Sequence, residues 1–481
     1  MKKQLLLIAV LVLGVSVANA QTTPPTPKPG SVDETIANIK KPVDWFSWGA
    51  DFRIRNEYYN NIVSLNETAA MHEQDVIRFR ARLWGAFTPS SDFNVNVRLA
   101  AEPREWIRPA FVTAYKGEDS GEWRYGIFDN MNFKWGNIFG LPLTLTAGRQ
   151  EILLGDFYDW WLVADGTPND GSWTLFLDSI RLGCDLKDIK TKLDFIYIYQ
   201  NPFPSATIPT FGSSTQYPLT DQLEQGFVLY ASNKSINKTQ LDGYFIYKND
   251  VRKTFFVKNA FLTPGDNADI YTMGGKITGT PFEHWQYSVE GAYQCGSKED
   301  TIGGVFARRD IDAFGGKAKL TYLFNDPLNN QLSLATEFLS GDDPNTGKDE
   351  MFDVLWGRWP RWSELYIYSY IVETNKRIAQ MNNIARFGPT WTISPFKGTT
   401  ASLTYNAMFA PESTPTRAVT VPYPTFSRNG HFRGHYLQAV VKHQFNKYLS
   451  GHLWAECVQE DNYYAQRDLL TFVRCEVMFT F

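Results

Sequence analysis

Arginine recurs at every second position of VIRFRARLW (residues 76–84), as Arg78, Arg80 and Arg82 between Ile77, Phe79, Ala81 and Leu83. Guanidinium groups are planar, permanently charged forks that bind carboxylates in a bidentate way, so the row has the chemistry of an anion-binding wall. DFRIRNE adds Asp51, Arg53, Arg55 and Glu57; FNVNVR adds Asn94, Asn96 and Arg98; the C-terminal LLTFVRCEVMFTF adds Arg474 and Glu476. Catalytic chemistry is thinner. The six histidines are His72, His284, His431, His435, His443 and His452, and the i, i+4 spacing in HFRGH (431–435) does not converge on a strand or loop. No HExxH, GxSxG, P-loop or dinucleotide fingerprint occurs, so neither an enzyme nor a bound cofactor is expected. The stretches GDD (341–343) and DGTPND (165–170) read as solvated loops rather than Ca²⁺ sites.

Period-two spacing demands strands, because on a helix these arginines would be spread round the cylinder. The chain ends support a membrane setting. Lys2 and Lys3 precede the apolar run LLLIAVLVLG and an Ala18-Asn19-Ala20 cleavage pattern, so residues 1–20 read as a secretory signal. Removing it takes the formal charge from −4 to −6, since two lysines go with it, and an acidic chain gives no sign of nucleic-acid binding. No later run reaches the roughly 20 apolar residues of a bilayer helix. Yet aromatics make up 15% of the residues. Abundant aromatics without an apolar helix predict a transmembrane antiparallel up-and-down β-barrel, with aromatic girdles and a polar interior.

Residues 21–46 form a Pro-rich leader, in which Ser31 and Glu34 fit the capping box of a short periplasmic helix. The barrel is expected over residues 47–481, with about eighteen strands. These are placed at 48–59, 76–88, 93–101, 126–136, 141–151, 174–186, 190–200, 225–232 and 238–248. The second half is placed at 269–280, 283–296, 311–324, 330–340, 383–394, 400–410, 433–445, 449–459 and 469–481. Links alternate in length. Short ones such as DLKDIKT and SPFKGTT alternate with long ones such as 102–124, 152–173, 297–310 and 341–382. That sorting is the pattern of short periplasmic turns and long extracellular loops.

Each strand then has a lipid face and a lumen face. An arginine facing lipid at mid-membrane costs about 2–4 kcal/mol, so the row must turn inward. Parity sends Asp51, Arg53, Arg55, Glu57, Arg78, Arg80, Arg82, Arg98, Arg474 and Glu476 to the lumen. Lys192, Lys276, Lys317, Lys319 and Lys442 follow, with the acids Asp194, Asp242, Glu290, Glu337 and Glu456. The four cysteines (Cys184, Cys295, Cys457, Cys475) fall on the lipid parity. A Cys457–Cys475 bridge across the last hairpin is open in an oxidising compartment but not expected. A self-compensating lining and a selective basic wall are both compatible with this pattern.

At GRQEILLGD (148–156), FLDSIRLG (176–183) and ATEFLSGDDPNTGKDEMFDVLWGR (335–358), the chain resembles the alginate-export family of outer-membrane porins. HYLQAVVKHQFNKYLSGHLWAE (435–456) resembles that family's penultimate hairpin. The resemblance implies an eighteen-strand channel passing an anionic polysaccharide through an arginine-lined constriction. It places Arg149, Asp156, Asp178 and Arg181 on the channel lining, and Asp342 and Asp343 in a loop. Two features depart from the family pattern. FYDWW with Asp159 stands where a basic residue is expected, and Arg149 is out of parity with its strand unless a bulge at Gly148 restores it.

The expectation is therefore an outer-membrane porin of a Gram-negative-type bacterium, passively conducting anionic solutes, with acidic saccharides such as polyuronates as cargo. Its partners would be outer-membrane lipids, the cargo, and the barrel-assembly machinery, for which a terminal Phe481 after alternating apolar residues resembles the recognition signal. Trp160, Trp161 and Trp173, with WGRWPRW (356–362), are loop aromatics that would stack on sugars or plug the lumen if folded inward. The alternatives are a general or neutral-solute porin, and a loop-plugged surface receptor or adhesion barrel. A barrel hydrolase is a third class.

Overall fold

The structure is a computed structural model. It describes residues 31–481 apart from 63–64, 70–71, 109–120, 124, 153, 155–175, 213–217, 254–255, 258–259, 262–264, 303–304, 358–361, 367–372, 374–381 and 416–425. The signal-like segment and the start of the leader lie outside the described residues. Helix α1 (Val32–Lys40) follows, and its Ser31 N-cap accepts a bond from the Glu34 N–H at 3.2 Å. That is one half of the expected capping box.

Eighteen long strands form one closed antiparallel barrel. The first nine are β1 (Phe46–Asn60), β2 (Glu73–Ser90), β3 (Phe93–Ala101), β4 (Gly126–Trp135), β5 (Leu143–Gln150), β6 (Leu177–Leu186), β7 (Thr191–Gln200), β8 (Gln222–Asn233) and β9 (Thr239–Arg252). The rest are β10 (Asn267–Phe282), β11 (Trp285–Ile302), β12 (Val305–Leu323), β13 (Gln331–Leu339), β14 (Ile384–Ile393), β15 (Thr399–Phe409), β16 (Phe432–Gln444), β17 (Leu449–Glu460) and β18 (Leu469–Thr480). Each pairs with its sequence neighbour, and β1 pairs with β18 from Asp51↔Thr480 to Asn60↔Thr471, so no edge is left open. Among the described residues no helix is long and apolar enough to cross a membrane.

One expectation about the links needs correction. The link 297–310, read as a long loop, is mostly strand: β11 and β12 continue in register through Lys298↔Arg309 to Ile302↔Val305. Alternating polar residues satisfy strand geometry beyond the membrane as well as inside it, so apolar content underestimates strand length there. The Cys457–Cys475 bridge left open by the sequence is not formed: Cys457 faces Thr471 and Cys475 faces Leu453.

The two faces separate as parity predicts. On β1, Phe52 and Ile54 are each 44% exposed on the bare barrel, whereas Arg53 is 1% and Arg55 0% exposed. The interior is no open tube. A continuous apolar cluster joins Ile196, Ile198, Val228, Ile246 and Ile270 of the wall to Phe352, Trp356, Leu365 and Tyr366 of the link between β13 and β14.

Candidate functional site

The register of β1, β2 and β18 dictates an electrostatic problem. Arg55 stands opposite Arg78, and Arg53 opposite Arg80. Like charges facing each other in a low-dielectric interior require intervening acids. Glu57 accepts from Arg78 Nη1 at 2.8 Å, from Arg474 Nε at 2.8 Å, from Arg55 Nη1 at 3.4 Å and from the Tyr59 hydroxyl. Glu476 accepts from Arg55 Nε at 2.7 Å, and its carboxylate lies 3.6 Å from Arg53 Nε. Glu102, just past β3, takes Arg53 Nη2 at 2.8 Å and Arg78 Nη2 at 2.7 Å. Asp51 takes Arg82 Nε at 2.8 Å and lies 3.7 Å from Arg80. Arg104 and Glu364 complete the cluster, the first on Glu102 and the second on Arg474. Among the described residues, seven arginines thus meet five carboxylates.

Next to this wall, Arg98 bonds Asp129 at 2.7 Å and also meets Glu151. Arg181 forms a fork on Asp194, at 2.7 and 2.8 Å. Lumen charges of both signs are buried, but a few cations stay exposed. Asp194, Asp242, Glu290, Glu337 and Glu456 are all buried. Lys134, Lys192 and Lys442 are exposed on the inward parity, each within two residues of the periplasmic end of its strand. None of the three has an ion pair among the described residues. Lys317 lies 3.4 Å from Glu290, Lys276 is buried, and Lys319 is half-buried.

Arg149 and Asp178 require a correction. The ladder passes through Gly148 without a shift, pairing Ala147, Gly148 and Arg149 with Phe133, Asn132 and Met131 on one side. On the other side it pairs them with Ile180, Ser179 and Asp178. Arg149 therefore shares the outer parity of Leu143, Leu145 and Ala147, and Asp178 shares that of Ile180 and Leu182. The expected bulge lies instead in the partner strand, between Arg98↔Asn130 and Leu99↔Phe128, where Asp129 is the extra residue. Gly148 takes φ +121°, and a Cβ there would lie 2.4 Å from the Met131 carbonyl oxygen, so the ladder needs glycine. Arg149 is buried at the extracellular rim. It forks onto Asp178 (2.8 and 3.1 Å), donates to the Phe128 and Pro204 carbonyls at 2.9 Å each, and stacks on Phe176 at 3.9 Å. This is a structural clasp on the outer side of the wall.

Described residues of the link between β13 and β14 are anchored to opposite sides of the lumen. Asp349 first extends the β12 ladder by pairing with Ile311. Asp353 then meets the β9 and β11 wall: its N–H donates to Gln294 at 2.8 Å, and its carboxylate lies 3.7 Å from Lys248. On the side of β16 to β18, Glu456 accepts from Ser363 Oγ at 2.7 Å, Glu364 N–H at 2.9 Å and Leu365 N–H at 3.0 Å. Gln438 donates to the Trp362 carbonyl at 2.7 Å, and Arg386 stacks on the Trp362 ring at 4.6 Å. Glu373 clasps Arg433. Strands β9 and β18 lie half a barrel apart, so the anchors hold opposite walls. Near the start of the same link, Asp342 accepts from Arg309 Nη1 at 2.9 Å, and Asp343 caps a turn by accepting the Asn345 N–H at 2.9 Å. Burial and the nearby Asp349 push the Asp342 carboxyl up to about 6, against the pull of Arg309. Asp156, Asp159, Trp160, Trp161 and Trp173 lie outside the described residues.

The sequence profile of the alginate export family matches residues 44–466. The chain belongs to the alginate-export family. No curated protein sequence matches it. In shape this alginate-export family barrel is similar to OccAB2 of Acinetobacter baumannii, with a TM-score of 0.53 at 10% identity over 90% of this chain and 98% of that one. OccAB3 of the same organism gives 0.50 at 11% identity, over 90% and 99%. OccK8 (OprE) of Pseudomonas aeruginosa gives 0.50 at 11%, over 90% and 98%. At such identities the likeness is one of fold. Family and architecture together make the protein an outer-membrane channel barrel.

Several members of the lumen constellation escape strand parity. Glu102 follows the end of β3, and Glu364 sits in a link, so neither has a strand alternation to betray it. Lys134 was legible: NMNFKW places Asn130, Asn132 and Lys134 on one alternation.

Proposed function

We propose that this family barrel conducts anionic solutes preferentially, with acidic saccharides of the polyuronate class as cargo, and performs no catalysis. The observation that carries the reading is the set of lysines that stay exposed on the lumen parity. Acids are buried against the wall, while Lys134, Lys192, Lys442 and, in part, Arg181 face the space that a solute would occupy. Charges that remain solvated near a pore mouth concentrate counter-ions within a Debye length of roughly 8–10 Å. Histidines do not form a catalytic set: His431, His435 and His443 bond the Ala410 carbonyl, Tyr405 and Thr399 respectively.

Planar-bilayer recording across a salt gradient tests the reading. An anion-selective reversal potential is expected, and uptake of acidic oligosaccharides into liposomes should exceed that of neutral ones of equal size. A cation-selective potential would sink it. A second reading, a barrel sealed by its own loop and acting as a surface receptor, is favoured by one observation: Trp356, Leu365 and Tyr366 are fully buried inside the lumen. It requires no conductance under any voltage.

A further inference from the structure

Helix α1 precedes the residues matched to the family and is used by nothing above. We infer that it is an amphipathic anchor lying in the periplasmic leaflet of the outer membrane, its apolar face in contact with phospholipid. The inference rests on the outer-membrane location of the barrel and is independent of its cargo.

Where the helix docks fixes which side of the wall it occupies. Trp48 donates its indole N–H to the Ile39 carbonyl at 2.7 Å, and the Lys40 ammonium lies 5.8 Å from the centre of the Phe481 ring. Those two rings are 5.2 Å apart. Trp48 belongs to the outward alternation of Ala50, Phe52 and Ile54, and Phe481 exchanges both backbone bonds with Ala50. The helix therefore leans on the lipid side of the rim. Asp33 ties its other end to the turn between β16 and β17, through Lys447 and through Tyr448 Oη at 3.2 Å. The bond from Lys447 holds the Asp33 carboxyl below its usual range.

The composition of the helix fits that place. At 3.6 residues per turn, Val32, Ile36 and Ile39 fall within about 60° of arc, and the docking residues Asp33 and Lys40 share the adjoining flank. Val32 is 75% and Ile39 46% exposed on the bare protein, and the connection to β1 adds exposed Val43 and Trp45. This apolar surface is continuous with the lipid-facing girdle of Trp48, Phe87, Phe479 and Phe481, and lipid is what covers that girdle. Interfacial helices of this kind sink roughly 5–10 Å into the boundary between headgroups and acyl chains.

Site-directed spin labelling of the full chain tests the assignment. The four native cysteines are replaced by serine, cysteine is introduced singly at Val32, Ile39 or Asn38, and the folded barrel is reconstituted in phosphatidylethanolamine–phosphatidylglycerol vesicles. Labels at 32 and 39 should collide with dissolved oxygen more often, and with a water-soluble nickel chelate less often, than the label at 38. Their depth should lie about 5–10 Å below the phosphates. Equal nickel access at all three sites would put the helix in water and overturn the inference. Exclusion of both reagents at 32 and 39 would mean that protein covers the face, and would overturn it too. If labelling at Val32 blocks folding, judged by heat-dependent electrophoretic mobility, Val43→Cys offers the same comparison.

Discussion

Glu456→Gln distinguishes a loop that is latched across the lumen from one that merely rests there. The wild-type carboxylate takes donors on both oxygens. Oε1 receives the Glu364 N–H at 2.9 Å and the Trp454 indole N–H at 2.5 Å; Oε2 receives Ser363 Oγ at 2.7 Å and the Leu365 N–H at 3.0 Å. Glutamine keeps one accepting oxygen and turns an NH₂ group toward the other pair. In the less damaging orientation the NH₂ replaces Oε2. The Ser363 hydroxyl can then turn and accept, but the Leu365 N–H is left without an acceptor. Losing one charge-assisted bond and stranding one buried donor costs about 2–4 kcal/mol in all, against tenfold in population per roughly 1.4 kcal/mol. The open population should therefore rise by about 30-fold to several hundred-fold. Single-channel recording in planar bilayers reads this as more frequent or larger openings. A Glu456→Gln barrel that folds, as shown by its heat-dependent mobility, yet keeps the wild-type conductance and open probability would refute the latch.

Arg149→Leu should lower the unfolding temperature of the barrel, because it strands Asp178 and removes two carbonyl partners at a loss of about 3 kcal/mol; the reversal potential should not move, since the pair lies on the outer parity. Replacing Lys134, Lys192 and Lys442 together by glutamate should move the reversal potential toward cation preference by tens of millivolts at low salt, and by less at 1 M salt. Asp342, pushed up to about 6, holds its proton more tightly in the folded loop than in an unfolded chain. The fold therefore binds more protons through the pH 4–6 window, so the loop is most stable below it and loses stability as pH rises through it. Amide protection factors over residues 342–350, referenced to the intrinsic exchange rate at each pH, should fall between about pH 4 and pH 6, and Asp342→Asn should flatten that fall.

Parity carried the faces of β1, β2, β3 and β18 because a misplaced arginine is expensive in lipid, so VIRFRARLW has only one tolerable orientation. It failed at Arg149 for an instructive reason. The family motif suggested a channel residue, yet the register of three strands keeps it outward, and burial under Phe176 and Pro204 replaces the lumen as its shelter. The bulge at Asp129 has no composition signal. Strand ends at β11 and β12 were also hidden, since polar residues alternate there on both faces. The inward course of the link 340–383 was beyond any local pattern: WGRWPRW announced aromatic bulk, but its direction is set by Gln294 and Glu456, 59 and 91 or more residues away along the chain.

The placement of charge along the barrel separates two roles. Arg53, Arg55, Arg78 and Arg474 are almost fully buried and each is bound to a carboxylate. At distances beyond a few ångströms such pairs nearly cancel, so on the proposed reading they exert little field on a passing ion. On the proposed reading, the exposed lysines near the periplasmic mouth bias which ions enter, with Asp185 facing Lys192 in the register as a partial counterweight. Barrier and preference then belong to different residues. Glu456→Gln should change conductance with little change in the reversal potential, and the triple lysine replacement should do the opposite. If either variant moved both quantities together, the arginine cluster and the mouth would be acting as one electrostatic unit, and the buried pairs would have to be read as part of the selectivity filter.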